Sequence, residues 1–209
     1  MKPRLPPVLP MTPGEAEDYK LHRRFDRMGR LVGDRKMQRL MSAHVLVVGL
    51  GGVGSFAAES LARSGVGTLT IVDFDAVCIT NFNRQLHAID GAVGKNKAEV
   101  MAQRLGQINR KADIRPRPIS YDAEHAEQLL SPRPDFVIDA IDHVTSKCHL
   151  LATCRERAIP VVSATGSGGR LDPTQVKVAD LAETTTDPLA RAIRGILRTR
   201  YGFPAQGQP

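Results

Sequence analysis

The sequence predicts an α/β domain with a doubly wound, mostly parallel sheet and flanking helices. Short aliphatic runs, such as HVLVV at 44–48, alternate along the chain with longer amphipathic segments, an order typical of this class. The first of these runs ends in a glycine-rich loop that opens a helix of small residues. The chain has 209 residues, 42% hydrophobic and 24% charged, which suffices for one ordinary core.

Strands are predicted where apolar runs are short and bounded by turn residues. Residues 114–119 form either an edge strand or a loop, because Pro116 and Pro118 lack the amide hydrogen that a central strand requires. The other predicted strands are 44–48, 68–72, 136–140 and 159–163, with one more short segment at 176–178.

Helices are predicted where apolar residues recur at spacings of three and four. A last helix begins at Asp187–Pro188, since proline is favoured at the first helical position. In this helix Leu189, Ile193, Ile196 and Leu197 share one face, which we expect to pack on the domain. The remaining predicted helices are 20–41 with an interruption at Gly33, 55–64, 95–109, 123–130 and 145–157.

We expect one domain over residues 19–200. A proline-rich, disordered arm is predicted at 1–18, and a frayed tail at 201–209. No apolar run approaches the roughly 18 residues that span a bilayer, and a secretory signal is not predicted. Cys78, Cys148 and Cys154 form no C-x-x-C pair, which argues against a disulfide framework or a cysteine-rich zinc site and favours a cytoplasmic protein.

The net charge of +7 is concentrated at the two ends of the chain. Residues 1–44 carry +5 and residues 189–209 carry +4, whereas residues 45–188 carry −2. In the last helix Arg191, Arg194 and Arg198 form a basic stripe separate from the apolar face, and Arg200 extends it. The stripe predicts contact with nucleic acid phosphates, and a merely solvated charged face is the alternative.

The loop after the first strand, GLGGVG, has the spacing of a phosphate-binding turn. Gly49, Gly51 and Gly54 satisfy G-x-G-x-x-G between a strand and a helix, where bare backbone amides can approach a ligand phosphate. Asp73 follows Gly54 by nineteen residues and ends the second strand, a position that suits a carboxylate on ribose hydroxyls. Loop and acid together predict a Rossmann-like adenine nucleotide site without separating NAD from ATP. A purely structural glycine turn is the alternative.

Residues downstream of Asp73 favour a triphosphate over a dinucleotide. Arg84 can grip phosphate through two hydrogen bonds, and Lys97 supplies a compact positive charge. Asp142 follows the strand FVIDA and could hold magnesium, which commonly uses one or two carboxylates together with phosphates. A helix N-cap is the alternative role for Asp142.

The sequence resembles the ubiquitin-activating-enzyme superfamily of adenylating proteins. The matching motifs are GLGGVG (49–54), DFD (73–75), N-x-N-R-Q (81–85), GKNK (94–97) and DAID (139–142). Within that superfamily the chain is most similar to the tRNA threonylcarbamoyladenosine dehydratases. The segments that carry this similarity are RFDRMGRLVGD (24–34), DAVCITNFNRQLHA (75–88), DFVIDAIDHVTSK (135–147) and SGGRLDPTQVKVADLAETTTDPL (167–189).

The resemblance implies an enzyme that uses ATP and Mg²⁺ to activate a carboxylate as an adenylate. The substrate would be tRNA carrying threonylcarbamoyladenosine, whose modification then cyclises. Gly52 would contact the nucleotide through its backbone, and Asp75 and Asn81 would belong to the nucleotide site. Arg84, Lys97 and Asp142 would act in catalysis, and Arg27 would reach the terminal phosphate from the second protomer of a homodimer.

Two other functions remain open on the sequence. One is an adenylyltransferase that activates the C-terminus of a ubiquitin-like sulfur carrier. For either enzyme, a sulfur-transfer protein is a further partner that the resemblance implies. The other is a nucleotide-binding regulator without chemistry, because a fold does not fix a function. The basic ends of the chain favour tRNA.

Overall fold

The computed structural model describes residues 23–204, in which five parallel strands form one sheet. The strands lie in the order β3-β2-β1-β4-β5, and every neighbouring pair is parallel, which confirms the predicted fold class. Their bounds are β1 His44–Val48, β2 Thr68–Val72, β3 Asp113–Arg117, β4 Phe136–Asp139 and β5 Val161–Ser163.

Seven α-helices and four short 3₁₀ turns connect these strands within the described residues. The α-helices are α1 Asp26–Val32, α2 Asp34–Ser42, α3 Gly54–Arg63, α4 Lys97–Ile108, α5 Ala126–Leu129, α6 Val144–Glu156 and α7 Pro188–Tyr201. The 3₁₀ turns are Arg23–Phe25, Ile79–Asn81, Pro173–Gln175 and Leu181–Glu183. None of the helices within residues 23–204 is long and apolar enough to cross a membrane.

The central strand β1 sends alternate side chains to the two faces of the sheet. Val45 and Val47 lie in a buried cluster with residues of α3 and α4. Leu46 and Val48 lie in a second cluster with residues of α5 and α6. Helices therefore cover both faces, as a doubly wound sheet requires.

Helix α7 packs against α6 through the apolar face that its periodicity predicts. Ile193 and Leu197 are buried in a third cluster with Cys148 and Leu151 of α6. Asp187 caps the helix, because its side chain accepts a hydrogen bond from the Ala190 amide. The predicted helix start and packing face are both confirmed.

Several predicted elements differ in the structure. No strand forms at 176–178, where Val176 and Val178 are 81% and 94% exposed and make no ladder within the described residues. The predicted helix at 123–130 is reduced to the four residues of α5. The predicted interruption of the first helix is confirmed, because Gly33, with a φ of +81°, ends α1 and precedes α2. Of the two alternatives for residues 114–119, the edge strand forms, as β3.

The two predicted terminal segments have different outcomes. The proline-rich arm at 1–18 lies outside the described residues. Where a frayed tail is predicted from residue 201, α7 instead continues through Tyr201 and ends at Gly202 in the left-handed conformation. Phe203 then packs under the Arg155 guanidinium at 4.6 Å, and the rest of the predicted tail, 205–209, lies outside the described residues.

Candidate functional site

The glycine loop connects β1 to α3 at the carboxyl edge of the sheet, and two of its glycines are required by sterics. A Cβ at Gly49 would stand 2.6 Å from the Ala140 carbonyl oxygen, and one at Gly54 would stand 1.8 Å from the Gly49 oxygen. Gly51 differs, because a Cβ there would meet nothing within 4 Å. The loop thus packs closely against its neighbours at Gly49 and Gly54 and is open at Gly51, where a phosphate would approach the backbone.

Asp73 holds the glycine loop from the end of β2. Its two carboxylate oxygens accept hydrogen bonds from the Leu50 amide at 2.7 Å and the Asp75 amide at 2.9 Å. Burial raises the pKa of the Asp73 carboxyl, and these two amides oppose that rise. Each carboxylate oxygen has a second lone pair, so Asp73 can position the loop and still accept from ribose hydroxyls.

Lys97 and Asp75 form an ion pair beside Asp73. The Lys97 Nζ lies 2.7 Å from Asp75 Oδ2, and the lysine side chain is only 7% exposed. The neighbouring Asn96 accepts hydrogen bonds from the Ala98 and Glu99 amides and so begins α4. Lys97 therefore stands in the first turn of a capped helix with an acidic partner, and its three N–H donors leave room for further acceptors.

Arg84 and Asn81 lie in the loop that faces Gly52. Arg84 is exposed, and its Nη1 donates to the Thr80 carbonyl and to Asn83 Oδ1, both at 3.0 Å. Its aliphatic stem runs beside Gly52, where an added Cβ would lie 3.3 Å from Arg84 Cγ. Asn81 is buried, and its Oδ1 accepts from the Cys78 amide, so this side chain supports the turn that carries Arg84.

Asp142 is exposed just beyond β4, at the same edge as the glycine loop. The alternative N-cap role for Asp142 is wrong, because His143 caps α6 by accepting from the Ser146 amide. Within residues 23–204 no group of three or more His, Cys, Asp or Glu side chains could hold a metal by itself. The arrangement fits magnesium held jointly by one carboxylate and ligand phosphates.

A buried ion pair under this edge is missed by the sequence interpretation. Lys147 Nζ lies 2.8 Å from Asp139 Oδ2, and both side chains are fully buried. Lys147 also donates to the Ile141 carbonyl at 2.9 Å, while Asp139 accepts from Ser163 Oγ at 2.6 Å and the Ile141 amide at 3.1 Å. This network fixes the segment that joins β4 to Asp142.

The structure does not bring Arg27 to the glycine loop of its own chain. Arg27 is exposed on α1, directly after Phe25 and Asp26. The Phe25 ring lies against Gly65, just before β2, at the amino edge of the sheet. A five-residue strand is about 16 Å long, so Arg27 and the loop lie at opposite edges.

The predicted basic stripe on α7 is not uniform. Arg191 is exposed near the start of the helix, whereas Arg194 is half-buried and donates to Thr184 Oγ1. Arg198 donates through Nε to the Pro204 carbonyl at 3.4 Å. The helix begins near Gly166, which follows β5, and therefore runs away from the carboxyl edge.

The doubly wound sheet, the open glycine loop and the buried acid beside it define a nucleotide-binding protein of the Rossmann-like class. Arg84, Lys97 and the exposed Asp142 lie at the same edge of the sheet. The ThiF family model matches residues 25–192, and the chain belongs to the ThiF family.

Two relatives of this chain are named for different activities. The chain is 47% identical to the tRNA threonylcarbamoyladenosine dehydratase of Escherichia coli K12 over 179 residues, which cover 86% of this chain and 67% of that protein. It is 37% identical to the molybdopterin-synthase adenylyltransferase of Salmonella typhimurium over 126 residues, which cover 60% of this chain and 50% of that one.

A solved structure is similar over the same region. The E. coli dehydratase in complex with ATP superposes with a TM-score of 0.84 at 47% identity, covering 86% of this chain and 74% of that chain. The similarity in structure therefore covers most of this chain.

Proposed function

We infer that this chain is an ATP-dependent tRNA threonylcarbamoyladenosine dehydratase. The threonylcarbamoyl carboxylate of the tRNA substrate would attack the α-phosphorus of ATP, releasing pyrophosphate and forming an adenylate. The modification then closes on itself with loss of AMP, which amounts to net removal of water. The main support for this proposal is the 47% identity to the E. coli dehydratase over 86% of this chain, together with an open glycine loop at the site.

The protein's part in this chemistry is mostly positioning and charge compensation, because two anions must approach each other. The backbone of Gly51 and Gly52 would receive phosphate oxygens, and Asp73 would accept from the ribose hydroxyls. Arg84 and Lys97 would hold phosphates as pyrophosphate leaves. The packing of Arg84 beside Gly52 supports this assignment, since the aliphatic stem of the arginine lies against the loop.

Magnesium would be held by Asp142 and by the phosphates of ATP. The ion would neutralise negative charge on those phosphates. The exposed position of Asp142, with the cap of α6 provided by His143 instead, leaves its carboxylate available at this edge. The buried pair of Asp139 and Lys147 would keep that carboxylate in place.

A two-fold homodimer would complete the site with Arg27 of the second protomer. Arg27 lies at the amino edge of its own sheet, so it can serve a glycine loop only across an interface between two copies. A symmetric pair of such sites requires a closed two-fold dimer.

A cytoplasmic location accords with a tRNA substrate, and classification as a ligase accords with ATP cleavage. A sulfur-transfer partner stays a prediction from the resemblance.

The sulfur-carrier adenylyltransferase is not favoured, because the relative with that kind of activity is less similar and matches a shorter part of the chain. The regulator without chemistry is not favoured either, since the relatives are named enzymes.

The direct test is incubation with ATP, Mg²⁺ and tRNA carrying threonylcarbamoyladenosine, followed by mass analysis of the nucleosides. We expect the modified adenosine to lose the mass of one water only when ATP is present. An unchanged nucleoside with the folded wild-type chain, under conditions where ATP binding is measured, would contradict the proposal.

The site residues are tested by Arg84→Ala and Asp142→Ala. Each variant should lose exchange of pyrophosphate into ATP by at least about a hundredfold. Arg84→Ala removes a positive charge from the reacting phosphates, and Asp142→Ala removes the carboxylate that would hold magnesium there. Circular dichroism melts should stay near wild type, since both side chains are exposed. Arg110→Ala and Glu156→Ala are matched controls, because both side chains are exposed and precede strands at the amino edge.

A further inference from the structure

A cleft of about 260 Å³ lies between the second half of α7, the end of α6 and the 3₁₀ turn Leu181–Glu183. It is separate from the glycine loop. Three arginines, one acid and several apolar groups line it, namely Arg155, Arg194, Arg198, Asp180, Leu181, Ala182, Leu197, Phe203 and Pro204.

The three guanidinium groups of this cleft contact neutral oxygens. Arg155 donates through Nη1 to the Gly202 carbonyl at 2.9 Å, Arg198 to the Pro204 carbonyl, and Arg194 to the Thr184 hydroxyl. Among the described residues none of the three forms an ion pair with a carboxylate. Three positive charges therefore face one negative charge in the lining, which attracts an anion.

Asp180, the one acid in the lining, and Arg155 are both held in place by contacts within the chain. Asp180 Oδ1 accepts from the Ala182 amide at 2.7 Å and so caps the turn. The Arg155 guanidinium lies 4.6 Å from the centre of the Phe203 ring, a cation–π contact that restricts its rotamers. A guanidinium fixed in this way loses less entropy on binding and presents a planar fork that matches phosphate oxygens.

We propose that this cleft binds the sugar–phosphate backbone of the tRNA substrate, a proposal that rests on the function inferred above. A polyanion is favoured over a small anion because Arg191 and Arg200 continue the positive charge along the same helix, outside the cleft. The apolar groups of the lining suit a ribose next to the bound phosphate.

The position of the cleft also favours a long ligand. Arg194 and Arg198 stand roughly 10–15 Å along α7 from its first residue, which lies near the carboxyl edge. A tRNA can reach both the cleft and the glycine loop at once. Of the predicted stripe, Arg194 and Arg198 line the cleft together with Arg155 of the neighbouring helix, whereas Arg191 lies outside it.

The test compares Arg155→Gln and Arg198→Gln with wild type in the binding of tRNA, followed by fluorescence anisotropy between about 50 and 200 mM salt. Each variant should bind about tenfold more weakly, and each lost phosphate contact should lower the salt slope by about 0.7–0.9. Arg110→Gln, an exposed arginine after α4, serves as the surface control and should retain wild-type binding.

Further variants separate binding in the cleft from binding elsewhere on the chain. Arg155→Lys keeps the charge but lacks the fork, so its affinity should lie between those of wild type and Arg155→Gln. Wild-type affinity and salt slope in folded Arg155→Gln and Arg198→Gln would overturn the cleft as the binding element. A parallel loss of ATP affinity would overturn it too, by identifying a nucleotide site. Failure of the dehydratase itself is distinguished, since it leaves the nucleoside unchanged in wild type.

Discussion

Replacing Lys147 with methionine should destabilise the domain strongly. The substitution leaves the Asp139 carboxylate without its cation in a fully buried position, with only Ser163 Oγ and the Ile141 amide as donors. Removing one partner of a buried ion pair typically costs about 3–5 kcal/mol. For a domain of this size each kcal/mol lowers the melting temperature by about 2–4 °C, so a decrease of roughly 6–20 °C is expected.

The effect should depend on pH in a defined direction. Burial raises the pKa of the Asp139 carboxyl, and the charge of Lys147 opposes that rise. Without Lys147 the folded-state pKa rises further above that of the unfolded chain. Stability gained by protonating Asp139 is then present at acidic pH and lost as pH rises through the folded pKa. The deficit against wild type should therefore be larger at about pH 8 than at about pH 5.

The assay is thermal unfolding by circular dichroism at both pH values, with Lys111→Met as the control because Lys111 is exposed. The double variant Lys147→Met, Asp139→Asn removes both charges and should recover part of the loss. If Lys147→Met melts within about 2 °C of wild type at both pH values, the buried pair does not stabilise the fold in the way argued.

Three further substitutions test the loop and the last helix. Gly54→Ala places a Cβ 1.8 Å from the Gly49 oxygen, so melting temperature and ATP affinity should both fall. Gly51→Ala meets nothing within 4 Å, so it should leave the melting temperature near wild type and weaken ATP binding alone, measured by calorimetry. Unaltered ATP affinity in Gly51→Ala would move the phosphate away from this residue. Ile193→Ala opens a cavity between α7 and α6 and should cost about 2–5 kcal/mol in urea unfolding, whereas a cost below about 1 kcal/mol would show that this contact is loose.

Periodicity and local sterics determine much of this protein before it folds. In β1, Val45 and Val47 alternate with Leu46 and Val48, and this period of two sends them to opposite clusters. The spacing of the loop glycines likewise predicts a tight turn between strand and helix, which the structure confirms. Such features depend on neighbours in the sequence, so the sequence suffices to predict them.

Segment 176–178 shows where local pattern is insufficient. Its apolar residues are compatible with a strand, but a strand exists only when another strand supplies hydrogen-bond partners. Within the described residues the sheet ends at β5, and Val176 and Val178 stay exposed. The choice between strand and loop is thus made by the neighbours in space.

The buried pair was partly readable from the sequence. Lys147 stands three residues after Val144 and four before Leu151, on the apolar face of α6, and Asp139 stands two residues after the buried Val137. Those spacings signal burial of two charges but give no partner for either. Only the packing of α6 on β4 brings the two side chains within 2.8 Å.

By itself the sequence determined the fold class, the glycine loop, the acid after β2 and the apolar face of α7. The tertiary structure alone decided that Arg27 lies at the opposite edge from the loop, and that Arg155 joins Arg194 and Arg198 around one cleft. The physical reason is the range of the interactions. Helix and strand periods act within a few residues, whereas ion pairs and clefts form between side chains that only the packing of distant segments brings together.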